Sequence, residues 1–274
     1  MTKTYVIQGG TDGIGAAVAR ALFLRGDHAV ILGTNPEKAA PLLREAAGAP
    51  GSADFVRADL SLVSNTRQTV SDLLEAYPRI DGLVLCARFF RTYRSVTSEG
   101  FEDNFALFYL SRALLSYGLL PSFDKSDGAV IINAAGPGHD TPIDWDDLQS
   151  ARNYDGVRAM FMTGRLNDLH GVTFAERHAD RASYVLFHPG TTSTGFVGEF
   201  DRPTAAYIEQ QKLLSKPATD VVPPILRLLD DPPKEPLSAF NMYNELSIRS
   251  PLFSPASAAR LEDITAQLLD DVAK

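Results

Sequence analysis

The run Gly9-Gly10-Thr11-Asp12-Gly13-Ile14-Gly15 follows directly on the β-favouring Tyr5-Val6-Ile7 and opens an amphipathic stretch that closes at Gly26. Strand, glycine turn and helix in that order suit the pyrophosphate of a dinucleotide. Glycines let the backbone turn tightly and approach the phosphates, and a helix start offers unpaired N–H groups and a positive dipole end. A glycine cluster elsewhere would mean little; at the first strand-to-helix turn it is specific. Gly9, Gly13, Ile14 and Gly15 are the predicted contacts.

A second set of residues offers proton exchange or charge. Tyr93, Tyr109 and Tyr154 are phenols and His139 is an imidazole, although tyrosines often simply pack with a wet hydroxyl. Arg88, Arg91 and Arg94 recur every third position, as a grip for an anionic substrate or as a solvated loop. His139, Asp140, Asp144, Asp146 and Asp147 carry metal-ligating atoms, but their crowding reads as a loop entering a helix cap, and no metal is predicted. Trp145 beside them reads as a cover for the cleft or as packing. His188 reads as a strand-end residue with a structural role. Cys86, the single cysteine, reads as a small apolar filler; it permits no intrachain disulfide and points to a reducing compartment.

These residues hang on a regular alternation of apolar runs and amphipathic stretches. Strands are expected at Tyr5–Ile7, Ala29–Leu32, Phe55–Val56, Leu83–Leu85, Ala129–Ile132 and Tyr184–Phe187. Helical spacing covers Gly13–Arg25, Asn65–Ala76, Gly100–Leu120 and Met160–His178. The pattern predicts an α/β, Rossmann-like, doubly wound parallel sheet of about seven strands with helices on both faces. Residues 1–274 read as one domain. Its proline-rich segment 201–274 carries a helical run near Val221–Leu229, a last strand near Ala239–Tyr243 and a helix near Pro255–Val272, read as a lid and closing piece. The balance of 26 basic and 34 acidic residues gives a net charge of −8, which disfavours nucleic acid as a partner. No apolar run approaches the ~20 residues of a membrane span, so no membrane partner is expected. The chain runs from Met1 straight into a strand, reads as lacking a signal peptide, and is expected in the cytoplasm.

The spacing Gly9-x-x-x-Gly13-x-Gly15 resembles the short-chain dehydrogenase/reductase superfamily, with Gln8 where that family usually has threonine. Asp59-Leu60 matches its Asp–hydrophobic pair at the adenine. Leu83-Val84-Leu85-Cys86-Ala87 lies where it carries Asn-Asn-Ala-Gly, with Arg88 in the place of the glycine. His188-Pro189-Gly190 with Thr194 matches the segment that cups the nicotinamide. The likeness runs from about residue 4 to 196. Asn35–Ala39, Thr97–Phe101 and Asp147–Ser150 look most like the retinol-dehydrogenase-like branch. The resemblance implies a carbonyl/alcohol oxidoreductase acting on a small organic substrate with NAD(P). It also implies a homodimer or homotetramer built through the helices after strands four and five, for which Phe105, Leu107, Tyr109 and Phe161 suit a packed face. The choice of dinucleotide turns on the end of strand two, where an acidic residue would bind a ribose 2′-OH. Gly33 stands there instead. Thr34 replaces the arginine common among NADP users, Lys38 lies within reach of a 2′-phosphate, and Asp12 would repel one. The reading is NADP, with NAD as the alternative.

The family's proton machinery is a Tyr acid with a Lys that lowers its pKa, a Ser that polarises the carbonyl and an Asn that anchors water. Two registers place it here. One keeps Tyr154 and puts Arg158 at the lysine. The other, preferred because it needs no gap, puts Met160 at the tyrosine and Gly164 at the lysine. The serine falls at Ala135 or Gly136 and the asparagine at Phe108 in either case. Met, Ala and Phe exchange no protons. Three explanations follow: a replacement acid among Tyr93, Tyr109, Tyr154 and His139 with charge from Arg165; non-redox chemistry in a cofactor-shaped pocket; or a dinucleotide-binding sensor.

Overall fold

The computed structural model describes residues 2–193 and 198–272. Eight strands form one sheet: β1 (Thr4–Gln8), β2 (His28–Gly33), β3 (Ser52–Arg57), β4 (Gly82–Leu85), β5 (Ala129–Asn133), β6 (Ala182–His188), β7 (Leu237–Asn241) and β8 (Asn244–Leu246). Their order across the sheet is β8-β7-β6-β5-β4-β1-β2-β3, parallel throughout except for the β7–β8 pair. Val6 lies opposite Val30 on one side and opposite Leu83 on the other, so β1 is an interior strand of the sheet. From β1 the chain winds outward to β3, then returns to β4 on the opposite side. This reversal leaves a crevice above the carboxyl ends of β1 and β4, where open α/β sheets bind ligands.

Both faces of the sheet are buried, which is why the strands read as unbroken apolar runs. Side chains alternate between two cores. Tyr5, Ile7, Val84, Ile132 and Phe187 pack on the face covered by α1 (Gly13–Leu24), α2 (Pro36–Ala46) and a helix at Val222–Asp230. Val6, Leu83, Leu85, Ile131 and Leu186 pack on the other. That second face is covered by α3 (Val63–Ala76), α4 (Ser111–Gly118), α5 (Gly156–His178) and the C-terminal helix. Two further helices complete the numbering, α6 (Arg202–Leu214) and α7 (Val222–Asp230), so the C-terminal helix Pro255–Asp271 is α8.

Three features bear on the sequence expectation. The sheet has eight strands because the chain reverses at Met242, at a φ of 54°, and adds the antiparallel β8. The segment 201–274, expected as a lid and closing piece, contributes β7 to the sheet, α7 against α1 and α8 against α5. Only α6 and its flanking pieces stand apart from the main sheet. Finally, of the residues expected to face another copy, Phe105 and Tyr109 are enclosed within the chain. Phe105 and Tyr109 are 0% and 2% exposed. The Tyr109 hydroxyl meets Thr265 Oγ1 of α8 at 2.7 Å, and Arg67 donates to the Leu269 carbonyl at 3.0 Å. Phe161, half-buried, stacks on His139.

Two buried polar arrangements hold α5 in place. Arg165 and Asp168, both almost fully buried, pair at 2.5 Å; Asp168 also accepts from the Gly138 N–H at 3.0 Å, and Arg165 donates to the Leu252 carbonyl at 2.5 Å. One ion pair thus ties the helix to the loop after β5 and to the tail. Burial pushes the Asp168 carboxyl up to about 6. Two residues along, His170 lies edge-on to Tyr117, Tyr184 and Tyr109 with ring centroids 5.1, 5.5 and 6.5 Å away. Burial lowers its pKa to about 3.

Two expectations follow. His170 is neutral in the folded protein down to about pH 3 but takes a proton near pH 6.5 when unfolded, so its stabilising contribution is complete above that pH and fades below it. Denaturant unfolding at pH 7 and pH 5 should show the stability difference between wild type and His170→Gln shifting by about 2 kcal/mol against wild type; an unchanged difference would contradict this. Asp168→Ala strands a buried guanidinium and should cost about 3–5 kcal/mol, with faster exchange of the Gly138 amide. A loss below about 1 kcal/mol would show that the pair holds nothing.

Candidate active-site cleft

The glycine turn is shaped by backbone meeting backbone. A Cβ on Gly9 would lie 2.8 Å from the Ala87 backbone at the end of β4, and one on Gly15 would lie 2.3 Å from the Gly9 carbonyl oxygen. Gly9 and Gly13 also take φ of 75° and 51°, in the left-handed region that favours glycine. Asp12 caps α1 by accepting from the Gly13 N–H at 2.7 Å, and Lys38 meets its other oxygen at 2.8 Å. Burial would raise the Asp12 carboxyl, but Lys38 and the Gly13 amide outweigh it and hold it below the usual range. Ile14 sits in the first turn of α1, where early amides have no intrahelical acceptor.

Around this turn stand the other expected cofactor contacts. Thr34 is exposed just past β2, with no carboxylate beside it in sequence before Glu37. Asp59 is exposed and accepts from the Ser61 backbone and hydroxyl at 3.1 and 2.6 Å, while Leu60 is packed into the core. Pro189 and Gly190 follow β6, with Gly190 at a φ of 71° and the Thr192 hydroxyl donating to the Pro189 carbonyl at 2.9 Å. Thr194 lies outside the described residues. The close-packed glycine cradle and the absence of a carboxylate at Gly33–Thr34 fit a dinucleotide.

On the chemistry side, the structure separates the residues that sequence grouped together. Helix α5 starts at Gly156, where a Cβ would strike the Arg91 carbonyl at 2.1 Å. Tyr154 therefore precedes the helix instead of sharing a face with Arg158. Its hydroxyl donates to Glu102 at 3.1 Å, and burial and Glu102 raise its pKa, opposite to what a phenolic acid needs. Gly164 is the position that approaches the end of β5: its Cβ would lie 3.3 Å from the Ala135 carbonyl. Met160, one turn earlier, shares that side of the helix. Tyr109 is enclosed beneath α8, and burial raises its pKa as well. Arg165 is spent on Asp168 and the tail.

His139 is exposed at the loop tip, its Nδ1 2.7 Å from the Thr141 hydroxyl and its ring stacked on Phe161 at 4.0 Å and 15°. The arginine triplet divides. Arg91 pairs with Asp103 at 2.5 Å and Arg94 leans on the Gln149 carbonyl at 3.4 Å. While Arg91 also covers Phe89 at 4.3 Å, Arg88 has no such polar partner among the described residues and lies over the Phe108 ring at 5.4 Å. A fourth arginine, absent from the sequence reading, lies 4.3 Å from the same ring: Arg112, fully buried, bonded to the Asn133 side-chain oxygen and to the Ala87 carbonyl. Burial lowers its pKa to about 9. Nothing in the apolar stretch around Arg112 signals this role. Among the described residues, no carboxylate lies within 4 Å of either Arg88 or Arg112.

His188 closes the group. Its Nδ1 accepts from the Gly190 N–H at 2.9 Å, so in the neutral ring Nε2 carries the proton. The ring edge packs over Gly136, whose Cβ would lie 3.4 Å from Cδ2 and 3.9 Å from Nε2. Burial, then the charges of Arg88 and His139, lowers its pKa. Cys86 is pushed up to about 12 by burial and is not a nucleophile. Asp144 and Asp147 are committed to Arg152 and to loop amides, and Trp145 lies under Arg260 at 4.5 Å. Among the described residues, no group of three potential ligands could hold a metal ion.

The family model of the short chain dehydrogenases matches residues 3–142. DnrU of Streptomyces sp. (strain C5), named as a candidate daunorubicin C-13 ketoreductase, is 28% identical over 99% of this chain and 94% of its own. Human retinol dehydrogenase 13 is 26% identical over 70% of this chain and 60% of its own. Among solved structures, the angucycline C-6 ketoreductase LanV with bound NADP superposes with a TM-score of 0.65 at 18% identity, covering 88% of this chain and 93% of its own. With the glycine cradle at the switch point between β1 and β4, these matches establish that the chain belongs to the short-chain dehydrogenase family.

Proposed function

We propose that this chain is a nicotinamide-dinucleotide oxidoreductase of small carbonyl or alcohol compounds, with NADP as its dinucleotide. The carrying observation is the cradle in which Gly15 and Gly9 approach closer than any side chain permits. Gly9, Gly13, Ile14 and Gly15 would hold the pyrophosphate, Asp59 and Leu60 the adenine, Thr34 with Lys38 the 2′-phosphate, and Pro189, Gly190 and Thr194 the nicotinamide. LanV, a relative in fold, binds NADP, and DnrU bears a ketoreductase name. Bound there, the dinucleotide would supply or accept a hydride. Likeness to retinol dehydrogenase 13 supports the retinol-dehydrogenase-like branch.

The reading extends to an atypical proton side. With Gly164 against Ala135 and Met160 on the same side of α5, the positions of the family's Lys, Ser and Tyr carry no proton donor. Phe108 fills the asparagine position and packs under two guanidinium groups. The chain's own contribution is then to exclude water and to present positive charge and the N–H of His188. Tyr154, tied to Glu102, would act by holding the entrance loop to α5, and His139 by flanking the cleft.

The test is fluorescence titration with NADPH and NADH, followed by absorbance of the reduced nicotinamide over a panel of ketones and aldehydes. NADPH should bind more tightly. Lys38→Ala should weaken NADPH about tenfold, with NADH hardly changed, because one charge-assisted contact to phosphate is worth about 1.5 kcal/mol. Asp12→Asn, which frees Lys38 from its partner, should tighten NADPH. Tighter NADH in wild type would overturn the NADP reading, and binding without turnover on any carbonyl would favour non-redox chemistry or a sensor. Loss of turnover in Tyr154→Phe would restore Tyr154 as the acid.

A further inference from the structure

The cleft contains positive charge without an obvious owner. In a chain of net charge −8, Arg88 extends exposed from the end of β4 with no carboxylate partner among the described residues. Behind it, across Phe108, the buried Arg112 is equally without one. His188 ends β6, two strands from β4 in the sheet, its tautomer fixed by the Gly190 amide so that Nε2–H, on the ring edge beside Gly136, is left as a donor. The His139–Phe161 stack, partly exposed, supplies a flat wall nearby.

We propose that Arg88 and His188 form a seat for an anionic oxygen conjugated to a flat ring system, a phenolate or an enolate. An oxygen seated between them would meet the Arg88 charge and the His188 Nε2–H together, as sites that stabilise oxyanions require. A neutral histidine with a fixed Nε2–H serves as a hydrogen-bond donor without giving up its proton. The inert Met160, Gly164 and Ala135 argue the same way. An oxygen that is not protonated at the site must be weakly basic, near the phenol range of about 10 and not the higher range of an aliphatic alkoxide. The stacked His139–Phe161 plane suits a flat ligand over a branched aliphatic one. The groups around His188 are Arg88 from the end of β4 and His139 from the loop after β5. The assignment of this seat to the substrate rests on the dinucleotide reading above; its affinity for such an oxygen does not.

The probe is 4-nitrophenol, whose ionisation is read directly from its absorbance, titrated with pH in the presence of excess protein and without dinucleotide. Wild type should lower the probe's apparent pKa by about one unit, equivalent to about tenfold tighter binding of the phenolate than of the phenol. Arg88→Met, a change at an exposed side chain, should abolish the shift. His188→Gln, which keeps an N–H donor, should retain part of it, and circular dichroism checks that both variants fold. No shift in wild type, a shift that survives in both variants, or benzoate binding more tightly than 4-nitrophenolate would overturn the proposal. NADPH titration of the same wild-type sample is scored separately: failure there would sink the dinucleotide reading and leave the probe result to decide this one.

Discussion

The approach of Gly15 to the carbonyl oxygen of Gly9 is the constraint on which the rest of the cleft depends. A Cβ there would sit 2.3 Å from that oxygen, and one on Gly9 would collide with the Ala87 backbone, so α1 can start this close to the ends of β1 and β4 only on glycine. Because of that proximity, a ligand bound at the helix start is also beside Ala87, Arg88 and, across the sheet, the end of β5. The fold supplies the adjacency, since β1 and β4 are neighbours at the reversal of strand order. A bulkier residue at either position would push α1 from the sheet and separate the phosphate end from the chemistry end.

Below this surface the molecule uses buried polarity to fix what surrounds the cleft. Asn133 donates to the Asn167 side chain at 2.9 Å and to the Tyr184 hydroxyl at 2.8 Å, and accepts from Arg112. Asn167 donates in turn to the Phe108 carbonyl at 2.7 Å, within a wide helical turn at Ala106–Leu110. Such turns disrupt regular helix pairing and recur where a site needs a free carbonyl. The network therefore connects β5, α5 and the segment before α4, and it fixes the ring that both arginines face. The Arg165–Asp168 pair performs the same service for the loop that carries His139. Buried ion pairs are weak sources of net stability, so their value here lies in position.

Much of the fold was legible because two-sided burial writes parallel strands as apolar runs, as in Ala29–Leu32 and Ala129–Ile132. The glycine turn was legible because its constraint is local to seven residues. What escaped was non-local. The single turn through Met242 that creates β8 carries only polar neighbours and no apolar run. The covering of Tyr109 by Thr265 joins residues 156 positions apart, so Tyr109 looked free to act when it is enclosed. Arg112 sits among leucines and serines and resembles any helical arginine until the chain folds it against Asn133. Tyr154 and Arg158 have the right spacing for a helix face, but the helix begins between them. Side-chain partnership between distant elements, in short, was not readable.

The central claim is that a dinucleotide cradle has been kept while the groups beside it present charge and hydrogen-bond donors in place of a phenol–amine pair. A crystal structure with NADPH bound tests it most directly. The account predicts the pyrophosphate over the amides of Gly13–Gly15 and the nicotinamide near Ala135, with Gly164 and Met160 facing it and Arg88 and His188 reaching the open side. A tyrosine hydroxyl and a lysine ammonium side by side over the nicotinamide, or a dinucleotide bound away from the glycine turn, would contradict it.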